Sequence, residues 1–305
     1  MDQVDLINLI EGIYKNLSKG QKKIANYIQD NYDKAAFMTA GALGRTVGVS
    51  ESTVVRFASA LGFEGYPKLQ KHLQEIIKNK LTTVQRLNLM EGMDLEQILD
   101  NVFKIDVNNL KSTRNYIDVK EVEQIIQSIE NAKNIYIMGF RSSAPLAQFF
   151  FYYLSYIFEN VRLVTYGMSD IFGQLMHVTQ EDTVIGISFP RYCNQTVEGM
   201  EFAKSRNANL IAITDNKISP LYKIADHVLL TQSDMNSFVD SFVAPLSVIN
   251  ALIIVLGLKN KDKLEDSFGQ MEELWSKLQV YSVKEYETAR FEKYKDKQEY
   301  FKTGE

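Results

Sequence analysis

Residues 39–61, TAGALGRTVGVSESTVVRFASAL, constrain the chain more than any other stretch. Leu43, Val47, Val49, Val54, Phe57 and Leu61 keep a helical period that is interrupted once. Gly48 stands at the interruption, where a chain leaving a helix passes through the left-handed region that glycine enters without strain. Ser50 follows as an N-cap, its hydroxyl placed to accept the free amides of a new first turn. Gly44 leaves room for the two helices to cross closely. Two short helices with this turn chemistry form a helix-turn-helix.

The second helix, residues 51–61, is the reading helix. With Val54, Phe57, Ala58 and Leu61 inward, Ser52, Thr53, Arg56 and Ser59 face out. A short polar face with one guanidinium suits the major groove of duplex DNA. The candidate DNA-contacting residues are Ser50, Glu51, Ser52, Thr53 and Arg56, together with Lys68. Residues 3–16 and 19–31 read as two helices packed behind this pair, with Ser18 capping the second. Gly62 ends the reading helix, Gly65 and Pro67 turn the chain, and a final helix follows from Lys68. Lys68, Lys71 and His72 lie near the start of that helix, within reach of phosphate oxygens.

Charge is divided unevenly. Residues 1–80 carry 11 Lys/Arg against 8 Asp/Glu, a balance of +3, and the remainder carries −7. A basic head on an acidic body permits nucleic-acid binding without demanding it. At 305 residues there is room for two domains with cores of their own. The single cysteine, Cys193, forms no intrachain disulfide and fits a reducing cytosol. The start MDQVD lacks the apolar stretch of a signal peptide. The most apolar run, residues 242–258, contains Pro245, Ser247, Asn250 and Gly257, so it reads as a core helix and no membrane is implied.

Residues 78–115 read as a polar helical connector, with Leu81, Val84, Leu87 and Leu89, then Leu95, Ile98, Leu99 and Val102, interrupted at Gly92 and Met93. From about 118 strands alternate with helices. The strands are expected at 134–138, 161–164, 183–188, 210–214 and 227–231. Helices are expected at 119–131, 144–158, 170–176, 196–208 and 221–224. Apolar runs such as TVIGI and LIAIT belong to a parallel sheet covered on both faces. The fold is therefore an all-α helix-turn-helix head (1–77), the connector (78–115), and a doubly wound α/β domain (116–257) with a five-stranded parallel sheet. A charged C-terminal helix and tail (258–305) complete the chain. The helix carries Leu264, Phe268, Met271, Leu274 and Leu278 and is expected to pack on the domain or on a partner subunit.

Ligands of such sheets sit at the carboxyl ends of the strands, near the topological switch point. The first strand leads into Gly139-Phe140-Arg141-Ser142-Ser143, which puts two hydroxyls at a helix N-terminus, where anions are favoured. The third ends in Ser188-Phe189-Pro190-Arg191-Tyr192-Cys193-Asn194-Gln195-Thr196, again entering a helix, and the fourth in Thr214-Asp215-Asn216. The candidate ligand set is Ser142, Ser143, Ser188, Arg191, Thr196 and Asp215. Singly, each hydroxyl reads as a helix cap; together they describe a phosphate or carboxylate site.

LSKGQKKIANYI, VSESTVVRFASALGFEGYPKLQ, GFRSS and ITDNKISPL resemble the RpiR/MurR family of bacterial transcription regulators, across roughly residues 5 to 255. The resemblance implies a helix-turn-helix joined to a sugar-isomerase (SIS) domain that senses a phosphosugar, in a cytoplasmic, dimeric or tetrameric repressor or activator. Ser142 and Ser143 match the first phosphate loop of SIS domains, and Ser188 and Thr196 the outer members of the second, usually S-x-S-G-x-T. Here Pro190-Arg191-Tyr192 reads as an insertion, and Cys193-Asn194 replaces the usual Ser-Gly. Cysteine is a poor donor to phosphate, and Arg191 offers a bidentate contact instead.

Glu198, Glu201, Asp215, Asp234 and Asp240 are the candidate bases, and the sequence forces no acid/base pair among them. His72, His177 and His227 lack metal-ligand spacing, and no phosphate-binding P-loop, nucleophile elbow or dinucleotide fingerprint is present. The expectation is a regulator without catalysis, metal or cofactor, binding an inverted-repeat operator and a phosphosugar. The alternative is a sugar-phosphate isomerase or lyase with an accessory DNA-binding head.

Overall fold

The computed structural model describes residues 3–78, 82–87, 91–167, 169–235 and 237–281. Leu81 and Leu89 of the expected connector and the tail 284–305 lie outside them. The chain divides into two compact units, with the break between Leu256 and Gly257.

The first unit begins with α1 (Gln3–Ile13), a 3-10 turn (Tyr14–Asn16) and α2 (Lys19–Asp30). Ser18 caps α2 in a reciprocal box with Gln21. The short α3 (Tyr32–Ala35) follows, then the pair α4 (Ala40–Val47) and α5 (Glu51–Ala60). Gly48 has φ +70°, and its amide returns to Arg45 and Gly44. A Cβ on Gly44 would stand 2.8 Å from the Val49 carbonyl oxygen, so the glycine admits the turn backbone itself rather than a neighbouring helix. Leu6, Ile10, Ile24, Ile28, Leu43, Val54, Phe57, Leu61, Leu69 and Leu73 close one apolar core behind the pair. The next helix, α6 (Tyr66–Lys78), begins two residues before the expected Lys68. Pro67 lies in its first turn, where the missing amide has no intrahelical partner to lose. Tyr66 is buried and donates to the carbonyls of Ala35 (3.2 Å) and Met38 (2.8 Å), and burial pushes its pKa to about 12.

Two helices follow, α7 (Thr83–Leu87) and α8 (Leu95–Tyr116). Asn109 and Thr113 of α8 bond the backbone of Asp234 and Gln232. Beyond α9 (Val119–Glu130) come β1 (Ile135–Met138), α10 (Ala144–Ile157), β2 (Val161–Val164), α11 (Ile171–Leu175), β3 (Thr183–Ile187), α12 (Asn194–Ser205), β4 (Asn209–Thr214), α13 (Pro220–Ile224), β5 (His227–Leu230) and α14 (Val243–Lys259). All five strands are parallel, in the order β2-β1-β3-β4-β5. β1 and β3 are buried throughout, as continuous apolar strands covered on both faces must be. Tyr136, Met138, Val184 and Leu210 pack with Leu175, Met200 and Ala203 of α11 and α12 on one face.

The second unit holds α15 (Lys261–Leu278), supported along its length by Lys261–Glu265 (3.2 Å) and Glu273–Lys277 (3.8 Å). Among the described residues no single helix is long and apolar enough to cross a membrane.

Candidate functional site

On the reading helix, Val54, Phe57 and Ala58 are buried, while Ser50, Glu51, Ser52, Arg56 and Ser59 are exposed, as the helical period requires. Thr53 departs from the expected outward face. It is half-buried, and its methyl group lies against Gly20 at the start of α2. The Ser50 hydroxyl caps Thr53 N at 3.3 Å, leaving it as a fixture of the first turn. Arg56 donates from Nε to the Ser52 carbonyl at 3.2 Å, which leaves its terminal nitrogens on the outer face. Lys68 is exposed in the first turn of α6.

In the sheet, β2 lies on one side of β1 and β3 on the other, so the chain switches direction between β1 and β3. Both strands feed loops at their carboxyl ends. Gly139 is required after β1, because a Cβ there would meet the Ser143 carbonyl at 2.9 Å and that of Ile187 at 3.3 Å. The chain then makes a 3-10 turn (Arg141–Ser143) into α10. Ser143 is buried and its side chain caps nothing, so that hydroxyl is not spent on the helix start.

The loop after β3 is pinned from beneath. Ser188 N donates to Ile213 O at 3.2 Å, Thr214 Oγ1 donates to Ser188 O at 2.8 Å, and Cys193 N donates to Ser188 Oγ at 3.2 Å. Helix α12 starts at Asn194 and ends at Ser205, rather than running over 196–208. Thr196 therefore lies inside its first turn.

These two loops, together with α7 and the segment before α14, border an open cavity of ≈ 810 Å³. Ser142, Ser143, Ser188 and Arg191 line it as the sequence suggests. Thr196 and Asp215 do not. Thr196 is fully buried, and Asp215 turns its carboxylate to Tyr192 (2.8 Å) and Asn216 (2.6 Å), where it holds the loop from behind. Three further charged groups line the cavity that sequence reasoning did not assign: Arg86 of α7, Arg141, and Asp240 in a role other than base. Arg141 stands inside the quoted GFRSS, so its place was within reach of the sequence; Arg86 comes from a connector with no local signal. Arg141 (φ 56°) and Arg191 (φ 50°) both occupy the left-handed region, a strain of about 1–2 kcal/mol each that concentrates at functional loops.

Three guanidiniums and one carboxylate give the lining a formal balance of +2. Arg86 Nη1 lies 3.1 Å from Asp240 Oδ1. Burial, the largest influence, pulls the Arg86 pKa below its ordinary value; Asp240 raises it and the nearby Arg191 charge lowers it again. Glu198, Glu201, Asp215 and Asp234 are absent from the lining, and among the described residues no group of His, Cys, Asp and Glu could hold a metal ion.

Residues 4–80 match the helix-turn-helix domain of the rpiR family, and residues 128–255 match the SIS domain. The chain belongs to the rpiR family. It is a transcriptional regulator with a helix-turn-helix head and a SIS domain. It is 25% identical to an uncharacterized helix-turn-helix regulator of Haemophilus influenzae, over 83% of this chain and 90% of that protein. It is likewise 25% identical to the regulator HexR of Escherichia coli, over 88% of this chain and 94% of HexR. The sugar isomerase domain of an RpiR transcription factor from Sphaerobacter thermophilus superposes with a TM-score of 0.56 at 26% identity, covering 58% of this chain and 99% of that one. The Vibrio vulnificus NanR protein complexed with ManNAc-6P gives 0.53 at 19% identity, over 91% of this chain and 99% of NanR, a likeness of fold.

Proposed function

We propose that this rpiR-family regulator binds a sugar phosphate or related small anion in the SIS domain without converting it, and that occupancy changes its affinity for operator DNA. One observation carries the reading: hydroxyls and guanidiniums converge at the carboxyl ends of β1 and β3, where the lining balance of +2 matches a phosphomonoester dianion. An isomerase needs a carboxylate or histidine free to move a proton. The only carboxylate among the described lining residues, Asp240, is already paired with Arg86.

The SIS domains pair as a homodimer or homotetramer, and two heads meet an inverted repeat about one helical turn apart, roughly 34 Å. The chain works in the cytoplasm. The segmentation 1–77, 78–115, 116–257 and 258–305 assigns the head to DNA and the α/β domain to the effector. Glu51, Ser52, Arg56 and Lys68 contact DNA, with Ser50 and Thr53 holding the first turn of the reading helix; Ser142, Ser143, Ser188 and Arg191 contact the effector; Thr196 and Asp215 act from behind the loop. NanR is complexed with ManNAc-6P, so sugar 6-phosphates are the first class to test. The full chain is incubated with a panel of hexose phosphates and followed by NMR. Saturable shifts without new sugar signals support the sensor; turnover supports the isomerase.

A further inference from the structure

We propose that the connector helix α7 is part of the effector site, with Arg86 as a guanidinium that the anionic effector shares with Asp240. This deepens the reading above and rests on it. Arg86 is only 2% exposed, yet it faces the cavity rather than solvent. A buried guanidinium is costly unless anionic partners compensate it. Here Asp240 at 3.1 Å answers Arg86, and Arg191 brings a like charge close enough to lower the Arg86 pKa further. Arginine stays protonated in such a setting, so an anion that joins the two guanidiniums relieves their repulsion. A phosphate or carboxylate has the planar or forked oxygens to bridge both guanidiniums.

The same five-residue helix is tied to the SIS domain at three points. Arg86 O accepts from Ser237 Oγ at 3.2 Å, Arg86 Nη1 meets Asp240, and Thr83 Oγ1 accepts from Arg191 Nη2 at 3.1 Å. Arg191 therefore touches the connector and the cavity at once. In sequence, α7 stands between α6, the last helix of the head, and α8, the long helix of the connector. An anion seated on Arg86 and Arg191 adds bonds between the connector and the second loop, so filling the cavity changes how firmly α7 is held. That is a differential contact of the kind a coupling between two sites requires.

The test uses the full chain. Calorimetric titrations with inorganic phosphate, glucose 6-phosphate, fructose 6-phosphate and ManNAc-6P are run on wild type, Arg86→Gln, Arg86→Lys, Thr83→Val and Asp240→Asn. Arg206→Gln, an exposed arginine over the Phe202 ring, is the charge-matched control. Arg86→Gln is expected to weaken binding about tenfold or more, the value of a charge-assisted hydrogen bond. Arg86→Lys recovers part of the loss, Asp240→Asn tightens binding, and the control behaves as wild type. Hydrogen exchange over residues 82–87 slows in wild type at saturating ligand and does not slow in Arg86→Gln. Should Arg86→Gln fail to fold, Arg86→Lys and the exposed-site Thr83→Val decide the matter, each expected to weaken binding. Wild-type affinity in Arg86→Gln, or unchanged exchange of 82–87 on saturation of wild type, overturns the assignment of α7. Failure of wild type to bind any of the four anions overturns the effector reading itself.

Discussion

Tyr192 donates its phenolic proton to Asp215 Oδ1 at 2.8 Å and so anchors the loop that presents Arg191. The pair explains how the Pro190-Arg191-Tyr192 segment can be held in place while its arginine sits at a strained φ of 50°. Tyr192→Phe removes the tether without altering the ring. It should cost about 1.5–3 kcal/mol, the range for a hydrogen bond to a charged group, with weaker anion binding as the loop loosens. Urea denaturation and calorimetry on the same protein check both effects; unchanged stability and affinity would show the contact to be idle.

Gly44 carries the turn of the head. Alanine there places a methyl group 2.8 Å from the Val49 carbonyl oxygen, a backbone atom with no rotamer to move. The expected loss is about 1–3 kcal/mol in denaturant unfolding, accompanied by loss of DNA binding, while sugar-phosphate binding by the body is retained. A stable Gly44→Ala protein with intact DNA binding contradicts the packing described.

Arg56 and Lys68 should fail in different ways. If Arg56 reads a base, Arg56→Ala costs about 1–3 kcal/mol on the preferred duplex and little on random DNA. Lys68→Ala weakens both alike and lowers the salt slope of log K by about 0.9. Fluorescence anisotropy across a salt series separates the two, and identical behaviour of the variants would remove Arg56 from the reading face.

Asp182 sets a pH limit on the body. Burial raises its pKa, but hydrogen bonds from Asn134 (2.7 Å) and from Thr179 N and Oγ1 (2.7 and 2.9 Å) outweigh this and hold it below the ordinary carboxylate value. A depressed folded-state pKa contributes stability that is fully present above the unfolded value and is lost as pH falls through the folded one. Melting curves should therefore show an acid-side decline below about pH 4 that Asp182→Asn flattens. An acid limb of the same slope in both proteins would locate the effect elsewhere.

Much of this architecture is written locally. Gly48 and Ser50 fix the turn of the head because one meets a left-handed backbone and the other an open set of amides. The apolar runs at 183–187 and 209–214 mark parallel strands because burial on both faces removes alternation. What escaped was short or distant. Helix α3 spans four residues, too few to establish a period, and Pro67 masked the true start of α6 because proline reads as a turn although a first helical turn tolerates it. Thr196, expected among the effector contacts, lies inside the first turn of α12, which begins at Asn194. In the cavity, the loop residues after β1 and β3 were legible from their strand ends. Arg86 was not, because its partner Asp240 is 154 residues away and nothing around TVQRL signals a ligand.

Coupling between effector and operator is read from DNA affinity with the effector present and absent. A duplex is selected by the full chain from a random-sequence pool and titrated by anisotropy, with and without the sugar phosphate that gives saturable NMR shifts. The expected result is an inverted repeat, a steep fall of affinity with salt, and a shift in affinity on adding the sugar phosphate that reappears as an equal shift in sugar-phosphate affinity on adding DNA. DNA binding that is absent or indifferent to salt, or an affinity untouched by a ligand that demonstrably fills the cavity, would contradict it.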